Sequence, residues 1–246
     1  MTVALRLLSE VSYDGAAIPG GRSADLLAAL AASPGGVSDA RLLAEVWSGS
    51  SPSPKALQVQ VSRVRAQCGA GIVERYDGGY RLGLADDEVD LWLARSRAEE
   101  ARAALAVDPR QALELARETD DLLGGLQMPV GDGPLADVRR RAGRLQVPVA
   151  RTIALALARS GRDREAMPVL EQAHVHDADD VEVLEALLRS EAVAAGAPVA
   201  LTRYDAYRRD LADRLGVDPD PALQRVHREL LAADDPVRSG VRFDAD

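Results

Sequence analysis

The chain has 246 residues, 47% hydrophobic and 28% charged, with 39 Asp and Glu against 30 Lys and Arg, a formal net charge of -9 and a pI near 5.0. That length and apolar content suffice for two packed domains, and an aromatic fraction of only 3% points to helices closed by aliphatic packing. A single cysteine, Cys68, excludes a disulfide framework and multi-cysteine metal sites and reads as a small buried hydrophobe.

No run reaches the roughly 18 apolar residues of a membrane span, and the opening MTVALRLLSEVSYDG lacks the basic-then-apolar layout of a signal peptide. A cytoplasmic protein is the expectation. The acidity is uneven: residues 1–87 hold 8 basic and 9 acidic side chains, the remainder 22 and 30. Uniform acidity would oppose binding to a polyanion, whereas a near-neutral first part leaves it open.

In chain order, Val3–Leu8, Glu10–Tyr13 and Ala17–Ile18, with Asp14–Gly15 as a turn, read as a small antiparallel sheet. A helix from Ser23 to Ala32 follows, with Ser23 as its N-cap, Leu26, Leu27 and Leu30 on one side, and Ser33–Pro34–Gly35–Gly36 ending it. Ser38 caps a second helix, DARLLAEVW, packed through Leu42, Leu43, Val46 and Trp47. After the loop SGSSPSP, the third helix runs from Pro54 to Cys68, PKALQVQVSRVRAQC.

Leu57, Val61, Val64 and Cys68 form the inner stripe of this helix and turn Lys55, Val59, Ser62, Arg63 and Ala66 outward. No Asp or Glu occurs from Val46 to Val73, so Lys55, Arg63 and Arg65 give that window a net charge of +3. A helix of this kind fits the major groove, where Arg63 can pair with guanine and Val59 can touch a thymine methyl. Arg65, nearer the buried stripe, is placed to reach phosphate or to support a neighbour. Ile72–Tyr76 and Tyr80–Leu84, around Asp77–Gly78–Gly79, read as a hairpin that either places Arg75 or Tyr76 against the adjacent minor groove or backbone, with Asp77 at the tip allowing phosphate contact at most, or is a plain closing hairpin with Tyr80 and Leu82 in the core. Strands, three helices and a hairpin make a winged helix-turn-helix.

From Asp86 the pattern is helical: Val89–Ala106, Arg110–Leu123, Leu135–Ser160, Arg164–His174, Val181–Ala195, Val199–Leu215 and Pro221–Ala232. Pro148 should kink or split the third of these. SGRDREAMPVL and AGAPVALTRY, around Gly161 and Gly196, lie 35 residues apart, close to the roughly 34-residue period of tetratricopeptide helix pairs. The expected fold is mainly α, with a winged helix (α+β) at 1–86, an all-α tetratricopeptide-like domain at 87–233 and a tail or linker at 234–246.

Little catalytic chemistry is on offer. There is no GxSxG, HExxH or Rossmann-type GxGxxG, and adjacent carboxylates such as Glu99–Glu100 face different ways on a helix. His174 and His176, two apart on a helix, fit one metal ion poorly and read as helix-end residues, and His227 reads as part of a polar face. No catalytic, cofactor or metal site is therefore expected.

With these residues placed, the sequence resembles the AfsR/SARP transcription regulators of actinobacteria, which join an OmpR-type winged helix to a bacterial transcriptional activation domain. LLAEVW, ALQVQVSRVRAQ, GGYRL and DLADRLGVDPDPALQRVHRELL carry the resemblance, over residues 3 to 233. It implies an activator that binds direct repeats of double-stranded DNA near promoters, pairs at least into a homodimer there, and recruits RNA polymerase. It implies DNA contacts from Lys55, Val59, Ser62, Arg63 and Arg65 in the third helix, and from Arg75, Tyr76 and Arg81 in the wing. The helix ends in the less basic RAQCGAG, and GRSADLL stands where relatives carry basic residues, which implies weaker phosphate anchoring. No GxxxxGK[ST] of a nucleotide-hydrolysing domain occurs in these residues. The alternative from another class is a helical interaction scaffold whose winged helix has lost DNA affinity.

Overall fold

The computed structural model describes residues 3–48, 50 and 53–234, so the tail expected from 234 lies outside it except for Asp234. Two compact units are present: the described residues up to Glu100 with Leu115–Val149, and Ala101–Glu114 with the described residues from Ala150 onward. A division at residue 86 thus runs through the first unit.

In that unit β1 (Leu5–Arg6), β2 (Ser12–Tyr13) and β3 (Ala16–Ala17) form an antiparallel sheet, Leu5 opposite Tyr13 and Ser12 opposite Ala17. Asp14 and Gly15 take φ of 47° and 80°, the left-handed pair that a two-residue hairpin turn needs. The first strand is shorter than its apolar run suggests. Beyond Arg6 the N–H groups of Leu7 and Leu8 donate to Oδ2 of Asp90, at 2.8 and 2.9 Å, instead of to a strand. Asp90 is buried, and its Oδ1 accepts from the Leu91 N–H at 2.7 Å. Burial pushes its carboxyl above the ordinary range against the pull of these three donors.

Helix α1 (Arg22–Ala31) buries Ala24, Leu26, Leu27 and Leu30 and packs on α2 (Asp39–Val46) and α3 (Pro54–Cys68). Ser38 caps α2 as expected, accepting from the Arg41 N–H at 3.3 Å. Ser23 does not cap α1. The helix begins one residue earlier, after Gly21, and the Ser23 hydroxyl accepts a 2.6 Å bond from Gln60 Nε2 of α3.

The second sheet has the order β4–β6–β5, from β4 (Val37–Ser38), β5 (Val73–Tyr76) and β6 (Gly79–Leu82), with a 3-10 turn at Ala70–Ile72 leading in. Strand β4 has no counterpart in the sequence reading, since two residues carry no periodicity. It closes on β6 across Gly79, where a Cβ would stand 2.0 Å from the Val37 carbonyl oxygen. Tyr80 and Leu82 are buried, as the hairpin pattern predicts.

Helices α4 (Asp90–Ala104), α5 (Pro109–Gly124), α6 (Pro134–Gly143) and α7 (Gln146–Arg159) follow. The long helix expected over 135–160 is two helices, but the break falls at Arg144–Leu145 and not at Pro148. Pro148 occupies the first turn of α7, where an N–H would have no intrahelical acceptor, so the ring is tolerated. Helix α6 packs on α1; buried Arg139 donates from Nε to the Leu7 carbonyl at 3.1 Å and from Nη2 to that of Ser9 at 2.5 Å. Trp92 Nε1 donates to the Ala31 carbonyl at 2.7 Å. The start of α4 and all of α6 are thereby built onto the winged helix.

In the second unit α8 (Asp163–His176), α9 (Val181–Ala195), α10 (Ala197–Leu215) and α11 (Pro221–Asp234) pack each on the next. Leu155, Leu157, Ala166, Leu170, Val183 and Leu187 share one core; Leu184, Leu188, Ala200, Tyr204, Leu223 and Val226 share another. One face of α9 serves each core, which is how stacked helix pairs bury surfaces that no single pair can close. The fold is a winged helix followed by an all-α, tetratricopeptide-like domain.

Ion pairs brace this unit. Arg151 donates to both Asp180 oxygens, at 2.5 and 3.1 Å, and to Glu182 at 2.6 Å, while Arg159 also reaches Glu182. Asp180 also caps α9 through the Glu182 and Val183 N–H groups. The Arg151 guanidinium holds the Asp180 carboxyl below its ordinary 3.8. A carboxylate depressed on folding adds stability that is present above its unfolded value and lost as pH falls through the folded one. Acid below about pH 4 should therefore weaken this unit. In Asp180→Asn that part of the slope should vanish from a series of thermal melts against pH.

The histidines lie apart from one another's chemistry. His174 is half-buried, lowered by burial and then by Arg203, with no hydrogen bond to Nδ1. Asp179 is engaged by Arg214 at 2.8 Å and Asp180 by Arg151. His227, read from sequence as a polar-face residue, is instead stacked on the buried Tyr204 ring with centroids 4.3 Å apart.

Candidate nucleic-acid interface

Helix α3 forms because Pro54 starts it, its interior carries no glycine, and Gly69, at φ 100°, ends it. Leu57, Val61 and Val64 are 2%, 2% and 1% exposed, so the inner stripe is anchored against α1, α2 and β5. Cys68, expected in that stripe, is only half-buried because it lies in the last turn, with burial and Asp14 raising its thiol. The outer row is Lys55, Gln58, Val59, Ser62, Arg63 and Ala66, every one exposed. Lys55 and Arg63 make no hydrogen bond or ion pair with any described residue. Val59 is 42% exposed, a large apolar side chain left on this polar row.

The remaining expected contact residues are engaged within the protein. Arg65 turns back to the wing, donating from Nε and Nη2 to the Val73 carbonyl at 2.9 and 2.6 Å. Of its two expected uses, the structure places it as the brace between α3 and β5. Arg75 donates from Nη1 to both Asp39 oxygens, at 2.9 and 3.0 Å, and lies 4.6 Å from the Tyr80 ring centroid. The Asp39 bond, then Tyr80, raises the Arg75 guanidinium. Arg81 pairs with Glu74 directly across the hairpin, at 2.9 Å. The Tyr76 ring covers Gly36, where a Cβ would come 2.4 Å from it. Ser62 donates its hydroxyl proton to the Gln58 carbonyl at 2.9 Å.

The structure thus brings Lys55, Val59, Ser62 and Arg63 onto one face and assigns Arg65, Arg75 and Arg81 internal partners. It adds Gln58, which is not among the residues expected to contact DNA. Its position is legible from spacing alone, three residues after Lys55 and four before Ser62 on the same face. What the spacing does not show is that its amide is unengaged.

Residues 89–231 match the bacterial transcriptional activator domain family. The chain is 35% identical over 221 residues to the regulatory protein AfsR of Streptomyces coelicolor, covering 85% of this chain and 22% of that protein. It is 31% identical over 219 residues to AfsR of Streptomyces griseus, with the same coverage of 85% and 22%. The transcriptional regulator RedD of Streptomyces coelicolor is 30% identical over 243 residues, 92% of this chain and 68% of that one. Among solved structures, Mycobacterium tuberculosis EmbR, in complex with a low affinity phosphopeptide, superposes with a TM-score of 0.67 at 24% identity, covering 93% of this chain and 64% of that one. At that identity the likeness is one of fold. The chain spans 22% of the length of the AfsR relatives. By the match over residues 89–231 and the extent of the RedD alignment, the chain belongs to the AfsR/SARP family of transcriptional regulators.

Proposed function

We propose that this protein binds double-stranded DNA sequence-specifically, with α3 in the major groove, and activates transcription from direct repeats near promoters. The observation that carries the reading is the outer row of α3: Lys55, Gln58 and Arg63 exposed and unengaged by any described residue, on a helix held by buried Leu57, Val61 and Val64. A preorganised helix loses little further freedom on docking, so its contacts convert into affinity and register. In this reading residues 1–86 are the DNA-binding module, and 87–233 make the contacts to RNA polymerase and to a second subunit. Lys55 and Arg63 are the only cations of α3 turned outward among the described residues, so one subunit has few phosphate contacts. Firm binding then requires two subunits on neighbouring repeats, seen as cooperativity in an equilibrium titration.

The test is selection of bound sequences from a random duplex library, followed by binding to the winner at several salt concentrations. A defined site should be enriched. Arg63→Ala should lose about 1–3 kcal/mol on it and relax the preference at one base pair. Enrichment of nothing above random duplex would overturn the reading.

One observation favours a second reading, the interaction scaffold: Arg65, Arg75 and Arg81 are all bound internally. A gel shift that stays negative at low salt, beside a stable protein partner in pull-down, would support it.

A further inference from the structure

We infer that Gln58 reads an adenine in the bound site; this rests on the DNA-reading role proposed for α3. The helix carries three glutamines, and the structure separates them. Gln60 is buried, its amide donating to Ser23 Oγ at 2.6 Å. Gln67 is exposed, but its Nε2 donates to the Ala17 carbonyl at 3.2 Å, tying α3 to the first sheet. Gln58 is exposed, and its side-chain amide bonds to no described residue; its main-chain carbonyl accepts from the Ser62 hydroxyl.

That bond commits the Ser62 hydroxyl proton to the helix. Of the exposed row, Lys55 and Arg63 can only donate and Val59 and Ala66 can do neither. An amide donates and accepts in one plane, which matches the N7 acceptor and N6 donor that adenine alone presents side by side in the major groove. Gln58 is therefore the residue of this row equipped for adenine, as Arg63 is for guanine. The two lie five positions apart, about 7.5 Å along the helix. With the helix axis following the groove, that is roughly two base steps of about 3.4 Å. The site should hold an A·T pair about two steps from the G·C pair that Arg63 reads.

The experiment is the same random-duplex selection on the full chain, run for the wild type, Gln58→Ala, Gln58→Glu and Arg63→Ala, with circular dichroism to confirm that each folds. The expected result is a conserved adenine whose preference falls by about 5- to 150-fold in Gln58→Ala. Preference at the other positions should hold. In Gln58→Glu the same position should shift toward cytosine, because a carboxylate accepts from the N4 amine and cannot donate to N7. Arg63→Ala should relax a different position. If Gln58→Ala and Gln58→Glu keep the wild-type preferences while Arg63→Ala relaxes one position, this inference falls and the DNA-reading role stands. If Gln58→Ala weakens all sequences alike, Gln58 contacts backbone and the inference also falls. If the wild type enriches nothing, both fall together.

Discussion

Arg203→Met should destabilise the second unit by about 3–5 kcal/mol, more than Glu191→Gln does. Glu191 on α9 is 6% exposed, and its two oxygens accept from Arg203 Nε and Nη2 of α10 at 2.7 and 2.8 Å. Removing the arginine strands a carboxylate where water hardly reaches it, whereas Glu191→Gln leaves a neutral amide and an arginine that is 31% exposed with Glu171 at 3.6 Å as a second partner. The asymmetry follows from which partner is desolvated. Replacing both, as Arg203→Met with Glu191→Leu, should recover much of the loss, because a well-packed apolar pair stands in for a buried ion pair at little cost. Denaturant unfolding of the four proteins checks this. Equal losses in the two single variants, or a double variant as unstable as Arg203→Met, would show that the pair is not what binds α9 to α10.

The second large effect belongs to Asp90→Ala, which should lower the stability of the first unit by about 3 kcal/mol or more. The substitution leaves the N–H groups of Leu7 and Leu8 without their acceptor, inside a segment where both leucines are buried. Each stranded buried donor costs about 1–3 kcal/mol. Asp90→Asn keeps one acceptor oxygen and should lose less. The pH dependence gives a further check. Burial raises this carboxyl on folding, so the folded state takes up a proton more readily than the unfolded chain, and stability from this group falls as pH rises past the unfolded value. The stability difference between wild type and Asp90→Asn, followed from acid upward, should shrink accordingly. Amide exchange at Leu7 and Leu8 should speed up in Asp90→Ala before the rest of the unit responds.

Most of the helices were legible in the sequence because they obey local rules. The Pro54–Cys68 helix has a proline at its start, a glycine after its end and an apolar stripe between, and its bounds in the structure are those the sequence predicts. Val181–Ala195 is likewise as expected, with Asp180 capping it. The first sheet and the wing hairpin follow from turn residues. Features set by distant partners escaped. The β4 strand is two residues long and exists because β6 lies beside it. The first strand stops at Arg6 because a carboxylate 82 residues further on takes the Leu8 N–H. The break at Arg144–Leu145 directly follows Gly143, a lone glycine whose stop signal is weaker on paper than that of the nearby Pro148, which the first turn of α7 tolerates.

For the interface the division is similar. Sequence by itself determined which residues share the outer face of α3, since a 3.6-residue period fixes direction, and the absence of acids from Val46 to Val73 fixed the sign of its charge. Only the tertiary structure decided which of those side chains are at liberty. Arg65, nearer the buried stripe, has two uses open to it by its spacing, phosphate or a neighbour, and the fold settles it on the Val73 carbonyl while Arg63 stays exposed and unengaged; of the exposed glutamines, Gln67 is tied to the Ala17 carbonyl and Gln58 is not, and Gln60 is buried against Ser23. Periodicity sets where a side chain points, a local property of the backbone, but whether it finds an acceptor depends on atoms brought in from β5, α1 and β3, which no local rule supplies.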